Sequence, residues 1–541
     1  MPQLAPHIFK ILHEQGIQHA FGIPGDFALT LYDALTASKI TPIVMTHEPS
    51  VGFAADAYSR IRGLGLAVVT YGVGGLNMVN SIAGAYAEKS PVVILSGAPG
   101  MRERQHHDLL HHKVKTFDTQ RRIYEEVTVY STTLNDPRTA DLKIHRALDY
   151  AMTFKRPVYL EIPRDLAYAE IEEVEYHSPP IKCTDANTLE EALAEILTMV
   201  NQAKSPVILV GTEVQRFGLQ PQIIALAEKL RVPVCSTILG KSVFPEAHPQ
   251  YIGIYNGEAG DPYVRNTVEE SDCLLMLGVF MTDLNLGMFT AHLNPSCAVY
   301  ATSERLAVKH HEYPHIRFED FINTLSNSCN LPNKNSSAIT RMKSRVAPSP
   351  GKISMSGLLY ELNQFIDSNT LLVTDVGDVL FAADDIQTRG GSSFLSSGFY
   401  ASMGFGIPGV IGAQLADPFR RAIALVGDGG FQMTGMELLT VKRLGLKPIV
   451  IVINNGAFAT LRAMGHKQAN FVYIPQMDYA KFAQVVGGSG FAIDTGEQLQ
   501  QALPIARASK TFSVLDVRIS PDDLSPALQR LSALFAKTLK G

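Results

Sequence analysis

Residues 104–113, RQHHDLLHHK, contain four histidines whose spacing is compatible with three kinds of site. His107 and His111 are four positions apart, and on a helix two imidazoles at this spacing lie on one face and can bind zinc. Imidazoles also titrate near neutral pH, so the same side chains are candidates for proton transfer. A solvated surface loop is the third alternative, because the stretch is highly charged. The residue types alone leave all three open.

A second candidate site lies in residues 421–457, where two runs typical of buried strands, AIALV and PIVIVI, each lead into a polar turn. Turns that follow parallel strands lie at the carboxyl edge of the sheet, where α/β proteins bind ligands. Carboxylate, amide and carbonyl oxygens suit a hard cation, and glycines let a diphosphate approach the backbone. Two ordinary turns are the alternative, but their joint placement favours a cation and diphosphate site. The residues concerned are Gly427, Asp428, Gly429 and Asn455.

The elements that must position these residues alternate between short apolar runs and stretches with helical periodicity. PIVMTH, LGLAVVTYG and PVVILSGAPG are examples of the apolar runs. This alternation predicts an α/β fold in which mainly parallel sheets are covered by helices. Within the second candidate site, the helix between the two strands is expected to begin near Thr434.

The chain of 541 residues is long enough for three or four domains. The strand and helix alternation restarts twice, each time after a polar segment whose composition buries too little apolar area to form an element. We interpret residues 176–187 and 330–352 as these linkers. Three α/β domains are therefore expected, over residues 1–178, 188–330 and 353–541.

The composition favours a small-molecule substrate over nucleic acid or membrane. Lys and Arg together number 47 against 52 Asp and Glu, and the formal net charge of −5 predicts no nucleic-acid partner. No run approaches the roughly 18 apolar residues of a membrane span, and the N-terminal MPQLAPHIFKILHEQG predicts an amphipathic helix rather than a signal peptide. The five cysteines contain no CxxC pair, which indicates neither a zinc ribbon nor a disulfide framework. We expect a cytoplasmic protein.

The GDG and NN turns resemble the diphosphate-binding motif of thiamine-diphosphate-dependent enzymes, and the likeness extends over essentially the whole chain. The layout resembles the 2-keto acid decarboxylases, most closely the phenylpyruvate and indolepyruvate decarboxylases. This resemblance implies an aminopyrimidine-binding first domain, a diphosphate-binding third domain, and thiamine diphosphate and Mg²⁺ as cofactors. It also implies that Asp428, Asn455 and the Ala457 carbonyl bind the cation. By the same resemblance, Asp378 lies near the diphosphate and Met403 supports the bent conformation of the cofactor.

Glu48 in THEPSVGFAADAYSR follows the run PIVMT and precedes a helix, where a carboxylate is ordinary at a helix start. In the resembled family, the matching glutamate contacts the aminopyrimidine ring. A carboxyl group that donates to the ring nitrogen favours the imino tautomer, which can remove the thiazolium C2 proton. The resemblance therefore implies that Glu48 is both catalytic and cofactor-binding. It implies non-oxidative decarboxylation of a 2-keto acid to an aldehyde through the cofactor ylide.

The resemblance also favours one alternative for the histidines. In the decarboxylase branch a His-His pair follows a short Leu-rich segment, and LLHHK matches it. This match implies that His111 and His112, with Asp26 of FGIPGDF, manage protons beside the cofactor, and it disfavours a metal site. His106 and His107 lie outside the motif and are interpreted as surface residues. Because the two cofactor-binding domains of this family meet across subunits, a homodimer is the expected minimum and a homotetramer the expected assembly.

Three other functions are less consistent with the sequence. GFGIPG at 404–409 fits the dinucleotide fingerprint GxGxxG, but the preceding FLSSGFYASM does not predict the strand that a nicotinamide dehydrogenase requires. Carboligases that resemble acetolactate synthase share the cofactor motif but generally lack the His-His pair. A catalytically inactive regulatory homologue would need a broken cofactor site, whereas Glu48, Asp428 and Asn455 are all present.

Two positions bear on proton supply and substrate size. Leu461, six residues after Asn455, stands where many pyruvate and indolepyruvate decarboxylases carry a glutamate. A close phenylpyruvate-type branch also has leucine there, and it has an aspartate at the place matching Asp283. This match makes Asp283 a candidate catalytic residue, and a solvated loop carboxylate is the alternative. The chain has no Trp, and Leu380 stands where pyruvate-selective relatives carry one. A roomier apolar pocket, suited to phenylpyruvate or indole-3-pyruvate, is expected.

Overall fold

The computed structural model describes residues 1–105, 109–178, 181–329, 351–391 and 394–538. His106 and His107 lie outside the described residues, as does most of the expected second linker. No helix within the described ranges is both long enough and apolar enough to cross a membrane.

The first third of the chain builds a six-stranded parallel sheet with the strand order β2-β1-β3-β4-β6-β5. Its apolar runs are buried at nearly every position, as expected for strands covered on both faces. The strands are β1 (His19–Gly22), β2 (Thr41–Val44), β3 (Gly65–Val69), β4 (Val92–Ala98), β5 (Tyr130–Thr133) and β6 (Val158–Pro163). The helices are α1 (Leu4–Glu14), α2 (Leu29–Ala37), α3 (Glu48–Arg62), α4 (Val73–Ala87), α5 (Met101–Gln105), α6 (Thr119–Glu125) and α7 (Ala140–Phe154), with a 3₁₀ turn at Asp26–Ala28.

The middle third builds a seven-stranded sheet with the order β13-β12-β11-β10-β7-β8-β9, which is parallel except for the pairings of β12 with its two neighbours. Its strands are β7 (Pro206–Val210), β8 (Val234–Ser236), β9 (Tyr251–Ile254), β10 (Cys273–Leu277), β11 (Ala298–Ala301), β12 (Leu306–Val308) and β13 (His311–Glu312). Its helices are α8 (Ala186–Gln202), α9 (Glu213–Arg216), α10 (Gln220–Leu230), α11 (Pro262–Glu269) and α12 (Phe318–Ser328), with a 3₁₀ turn at Pro295–Cys297.

The last third builds a second six-stranded parallel sheet, ordered β15-β14-β16-β17-β19-β18. Its strands are β14 (Thr370–Thr374), β15 (Phe394–Ser396), β16 (Arg421–Gly427), β17 (Ile449–Asn454), β18 (Ser489–Ile493) and β19 (Ser513–Arg518). The helices are α13 (Met355–Phe365), α14 (Asp378–Ala382), α15 (Gly406–Ala416), α16 (Asp428–Thr434), α17 (Leu438–Arg443), α18 (Ala459–Leu461), α19 (Tyr479–Val485), α20 (Gly496–Ala508) and α21 (Pro526–Thr538). Short 3₁₀ turns lie at Ala383–Asp385, Gly435–Glu437 and Asn470–Val472, and a π-helical segment lies at Arg462–His466.

These elements form two compact units. The first combines Met1–Ile181 with Tyr400–Phe419 and Met433–Leu446, so α15 and α17 belong with the first sheet. The second contains the other two sheets and comprises Lys182–Phe399, Arg420–Gln432 and Lys447–Gly541. Three mainly parallel sheets covered by helices confirm the predicted α/β class. The three domain boundaries stay predictions.

One local expectation was wrong. The helix expected from Thr434 begins at Asp428, directly after β16, and a 3₁₀ turn separates it from α17. The low helix propensity of its glycines favours a turn. An acidic first residue favours a helix start, however, and Asp428 Oδ1 accepts a hydrogen bond from Gly429 N at 2.8 Å. FLSSGFYASM does contain a strand, the three-residue β15, but that strand ends at Ser396, well before Gly404.

Candidate active site

Asp26, His111 and His112, here called the Asp–His–His cluster, converge in the first unit. His111 Nε2 lies 2.6 Å from Asp26 Oδ2, and His112 Nε2 lies 3.8 Å from Asp26 Oδ1. The two imidazole rings are edge to face at 4.6 Å, and the Phe27 ring packs 5.0 Å from His111. The side chains remain accessible, with exposed fractions of 59% for His111, 27% for His112 and 41% for Asp26. Three groups that exchange protons are therefore within reach of one another and of a ligand.

The backbone at His112 explains how neighbouring histidines reach one carboxylate. His111 and His112 lie in a turn, and His107 lies outside the described residues, so the predicted His107 and His111 pairing stays untested. His112 has a φ of +66°, a left-handed conformation that is uncommon for a residue with a side chain. Gly72, with a φ of +71°, lies against it, and a Cβ at Gly72 would be 2.5 Å from His112 O. Only glycine fits this approach.

A buried hydrogen-bond network supports the turn that carries Gly72. Gln120 Oε1 accepts from Gly72 N at 2.7 Å, while Gln120 Nε2 donates to Ser96 Oγ and to Tyr159 OH, each at 2.8 Å. Tyr159 OH in turn donates to Glu161 Oε2 at 2.8 Å. Sequence reasoning did not identify Gln120, because its partners come from elements distant along the chain. The Gly-rich stretch YGVGG was the only local signal.

Gly72→Ala is expected to lower kcat/KM by about 10²-fold, because a catalytic group misplaced by about 1 Å costs that much. Gly16→Ala is the matched control, since Gly16 has a φ of +91° and its added Cβ would meet no atom within 4 Å. Both variants carry left-handed strain of about 1–2 kcal/mol, but only the first displaces His112. Kinetics and chemical unfolding measured on both variants check this. An equal loss of activity in both would contradict a specific contact with His112.

Glu48 is the first residue of α3, directly after the turn that follows β2. Asn77 Nδ2 donates to Glu48 Oε2 at 2.7 Å, and the side chain is half-buried. The positive end of the helix favours a carboxylate at this position. One carboxylate oxygen therefore has a fixed donor, while the group stays within reach of a ligand. The structure places Glu48 as predicted at the helix start, and its catalytic role stays a prediction.

Glu437 fixes the turn that leads into Glu48. Its Oε1 accepts hydrogen bonds from Thr46 N at 3.0 Å and Thr46 Oγ1 at 2.7 Å, and its Oε2 accepts one from Thr440 Oγ1 at 2.7 Å. The Glu437 side chain is fully buried, and its bond to Thr440 is buried as well, whereas its two bonds to Thr46 are part-buried. The segment after α16 thus holds the β2–α3 turn within the first unit. No sequence pattern indicated this contact.

The GDG and NN turns meet in the second unit. β16 and β17 are neighbours, with Gly427 opposite Ile453, so both turns lie at one edge of the sheet as predicted. Asp428 Oδ2 accepts from Gly456 N at 2.6 Å, and Asn455 Oδ1 accepts from Ala457 N at 3.0 Å. The predicted cation ligands are therefore brought together by two adjacent strands.

The donor set and the space around it fit a cation and a diphosphate. Asp428 and Asn455 are 2% and 8% exposed, and burial raises the pKa of Asp428 to about 6. A buried carboxylate of this kind is stabilised in its charged form by a divalent cation, and oxygen ligands suit Mg²⁺. A Cβ at Gly427 would meet no atom within 4 Å, so open space lies beside this backbone. Asp428, Asn455 and the open space at Gly427 therefore fit the cation and the diphosphate that the GDG and NN turns imply.

Asp378 and Met403 lie in different units. Asp378 begins α14 in the second unit and accepts a hydrogen bond from Ser525 N at 3.0 Å. Burial raises the pKa of Asp378 to about 6. Met403, in the first unit, is half-buried and precedes Gly404, which has a φ of +90°. The predicted contacts of both residues with the cofactor stay predictions.

Asp283, Leu380 and Leu461 belong to the second unit. Asp283 lies in the turns after β10, half-buried, and its Oδ1 accepts from Leu284 N at 2.9 Å. Leu461 ends α18 and is 38% exposed, so its side chain is accessible but offers no proton. Leu380 is buried in α14, where a Cβ added at Gly398 would lie 3.7 Å from its Cδ1. The structure thus confirms that Asp283 follows an apolar strand.

Comparison with known proteins adds evidence that is independent of this geometry. The chain matches models of the thiamine pyrophosphate enzyme family: the N-terminal TPP binding domain over residues 2–120, the central domain over 193–309 and the C-terminal TPP binding domain over 375–517. It is 38% identical to an indole-3-pyruvate decarboxylase of Azospirillum brasilense, with 98% of this chain and 97% of that protein covered. It is 28% identical to a pyruvate decarboxylase of Hanseniaspora uvarum, with 90% and 89% covered.

A more distant relative is pyruvate decarboxylase isozyme 1 of Saccharomyces cerevisiae, which is 26% identical with 90% of this chain covered. All three named relatives are therefore decarboxylases of 2-keto acids. Three matching family models, together with similarity along 98% of the chain to one of these enzymes, show that the chain belongs to the thiamine-pyrophosphate-dependent 2-keto acid decarboxylases.

Proposed function

We propose that the protein decarboxylates an aromatic 2-keto acid, phenylpyruvate or indole-3-pyruvate, to the aldehyde and carbon dioxide, with thiamine diphosphate and Mg²⁺ as cofactors. The observation that carries this proposal is the Asp–His–His cluster, which places three proton-exchanging groups together in the unit that also contains Glu48. A carboligase that resembles acetolactate synthase has no evident use for the His-His pair. An inactive homologue is disfavoured because the cation ligands and Glu48 are all present.

The residues of the chain divide the chemistry between two tasks. Thiamine diphosphate, when bound, would supply a carbon nucleophile and would accept the electron pair that stays on the substrate carbon when carbon dioxide leaves. Glu48 holds a proton at the aminopyrimidine ring, and the Asp–His–His cluster moves the proton that the product needs. Asp428, Asn455 and the Ala457 carbonyl hold the cation and with it the diphosphate. Binding and proton transfer are thus assigned to separate groups of residues.

Apolar residues of the second unit support a large substrate. A Cβ at Gly398 would lie 3.3 Å from Leu239 Cδ2, so Leu239 and Leu380 pack beside one glycine. The neighbouring Phe399 is edge to face with Phe280 at 6.2 Å and is 38% exposed. An exposed aromatic ring beside small and aliphatic residues suits a flat aromatic side chain. The name of the Azospirillum relative, an indole-3-pyruvate decarboxylase, agrees with this choice.

A panel of 2-keto acids tests the proposed function. Phenylpyruvate or indole-3-pyruvate is expected to give a kcat/KM at least about tenfold above that of pyruvate, a difference of about 1.4 kcal/mol in transition-state binding. Aldehyde and carbon dioxide are measured with purified protein, thiamine diphosphate and Mg²⁺, and a Glu48→Gln preparation run in parallel corrects for contaminating activity. A tenfold preference for pyruvate would contradict the aromatic assignment. Acetolactate as the main product would identify a carboligase instead.

We further propose a homodimer as the minimum assembly and a homotetramer as the working form, in a cytoplasmic location. The assembly is supported by the family resemblance, in which the aminopyrimidine and diphosphate domains of different subunits meet. The location is supported by five cysteines that are all free thiols. Sedimentation of the purified protein with and without cofactor measures the assembly, and a monomer that retains full activity would contradict it.

A further inference from the structure

The Asp–His–His cluster also has the composition of a transition-metal site. One carboxylate oxygen and two imidazole nitrogens lie within 4.8 Å of one another. Among the described residues, no other group of three or more histidine, cysteine or acidic side chains brings its ligand atoms this close together. Two imidazoles and a carboxylate form a three-ligand set that binds Zn²⁺ and leaves a position open.

The polypeptide holds these ligands close to the required arrangement before any ion binds. In an extended strand, adjacent side chains point to opposite faces, but the left-handed conformation of His112 turns both rings toward Asp26. The Phe27 ring packs against His111, and the backbone of Gly72 fixes His112. Less conformational entropy is therefore lost on binding than with free surface histidines.

The existing separations are close to those of a bound ion. Around a tetrahedral zinc, N and O ligands at about 2.0–2.2 Å lie about 3.3 Å apart. His111 Nε2 is 2.6 Å from Asp26 Oδ2 and His112 Nε2 is 3.8 Å from Asp26 Oδ1, so one separation is shorter and the other longer than this value. One oxygen of Asp26 and one nitrogen of each imidazole lie within 4.8 Å of one another, so these three atoms can surround one cation once the side chains rotate. Because each side chain is at least a quarter exposed, water can complete the coordination.

The ligand types separate this cluster from the proposed magnesium site. Asp428, Asn455 and the Ala457 carbonyl offer only oxygens, which suit a hard cation. The Asp–His–His cluster offers two nitrogens and one oxygen, which suit borderline ions such as Zn²⁺. Excess Mg²⁺ is therefore not expected to displace zinc from the cluster.

We propose that Asp26, His111 and His112 form a binding site for a divalent transition-metal ion, represented by Zn²⁺, and that occupation of this site stops catalysis. A nitrogen that coordinates the ion cannot accept or deliver a proton, so metal and proton transfer exclude each other. The inhibition rests on the proposed function, whereas the binding does not. Zn²⁺ is thus a reversible inhibitor that acts on the proton-transfer groups rather than on the magnesium site.

Calorimetric titration with Zn²⁺ tests the site. The full-length protein is freed of metal and titrated in excess Mg²⁺, with Asp26→Asn, His111→Gln and His112→Gln in parallel. His177→Gln is the matched control, because the His177 side chain is 80% exposed and lies outside the cluster. One site per chain is expected in the wild type and the control, with binding weakened at least tenfold in each cluster variant. Identical isotherms in the wild type and His112→Gln would overturn the site.

Inhibition is measured separately, so that failure of the metal site and failure of the proposed function can be told apart. Zn²⁺ is expected to suppress aldehyde formation over the concentration range in which it binds, and a chelator is expected to restore it. Zinc bound at the cluster with unchanged turnover would overturn the proposal that metal binding and proton transfer exclude each other. Zinc binding that depends on the cluster, in a protein inactive on every keto acid, would support the site and contradict the proposed function. Normal turnover in a protein whose zinc binding does not depend on the cluster would support the proposed function and contradict the metal site.

Discussion

Glu48→Gln is expected to lower kcat by about 10²–10⁴-fold, the range that a positioned general acid or base contributes. Glutamine has the shape of glutamate, and its carbonyl oxygen can still accept the 2.7 Å hydrogen bond from Asn77 Nδ2. The amide cannot hold or deliver a proton at the aminopyrimidine ring. Binding and fold should therefore persist while the first chemical step fails.

Two measurements separate loss of chemistry from loss of structure in this variant. The rate of C2 proton exchange on bound thiamine diphosphate reports the step that Glu48 serves, and circular dichroism reports the fold. Glu125→Gln is the control, because Glu125 is an exposed helical glutamate of the same unit whose carboxylate pairs with Arg121. The control should exchange and turn over at the wild-type rate. Wild-type exchange in Glu48→Gln would show that another group activates the cofactor.

The parts of the site that could be predicted from the sequence are those with local signals. Apolar runs buried on both faces marked β16 and β17, and the polar residues after each run identified the shared edge of the sheet. Glu48 was placed at a helix start because a strand-like run ends and helical periodicity begins there. In each case the signal is local: a short apolar run marks the strand, and the polar residues directly after it mark its end.

The contacts that position these residues could not be predicted, because they join distant parts of the chain. Glu437 and Thr46 are 391 positions apart, and periodicity identifies an element without identifying its partner. The grouping of α15 and α17 with the first sheet could not be predicted for the same reason, because these helices lie far along the chain from that sheet. The helix start at Asp428 was missed for another reason, since the propensity of a GDGG run favours a turn and the fold overrides it.

Asp26→Asn and His112→Ala are expected to lower kcat by about 10²–10⁴-fold, and Asp283→Asn is expected to have a smaller effect. After carbon dioxide leaves, the product carbon needs a proton, and Leu461 cannot supply it. Asp26 lies 2.6 Å from His111 Nε2, so replacing its carboxylate removes the charge that orients and stabilises a protonated imidazole. Asp283 is half-buried, and one of its carboxylate oxygens accepts a hydrogen bond from Leu284 N, so we expect it to assist only the later steps.

Single-turnover experiments decide between these donors. Carbon dioxide and aldehyde are timed separately after one equivalent of keto acid is mixed with the enzyme, so that a delay between them reports slow protonation. Asp261→Asn is the control for Asp283→Asn, since Asp261 caps α11 in the same unit and asparagine caps equally well. Asp283→Asn should lengthen the delay and the control should not. An unchanged kcat with no delay would show that Asp283 is a bystander and that the Asp–His–His cluster alone supplies the proton.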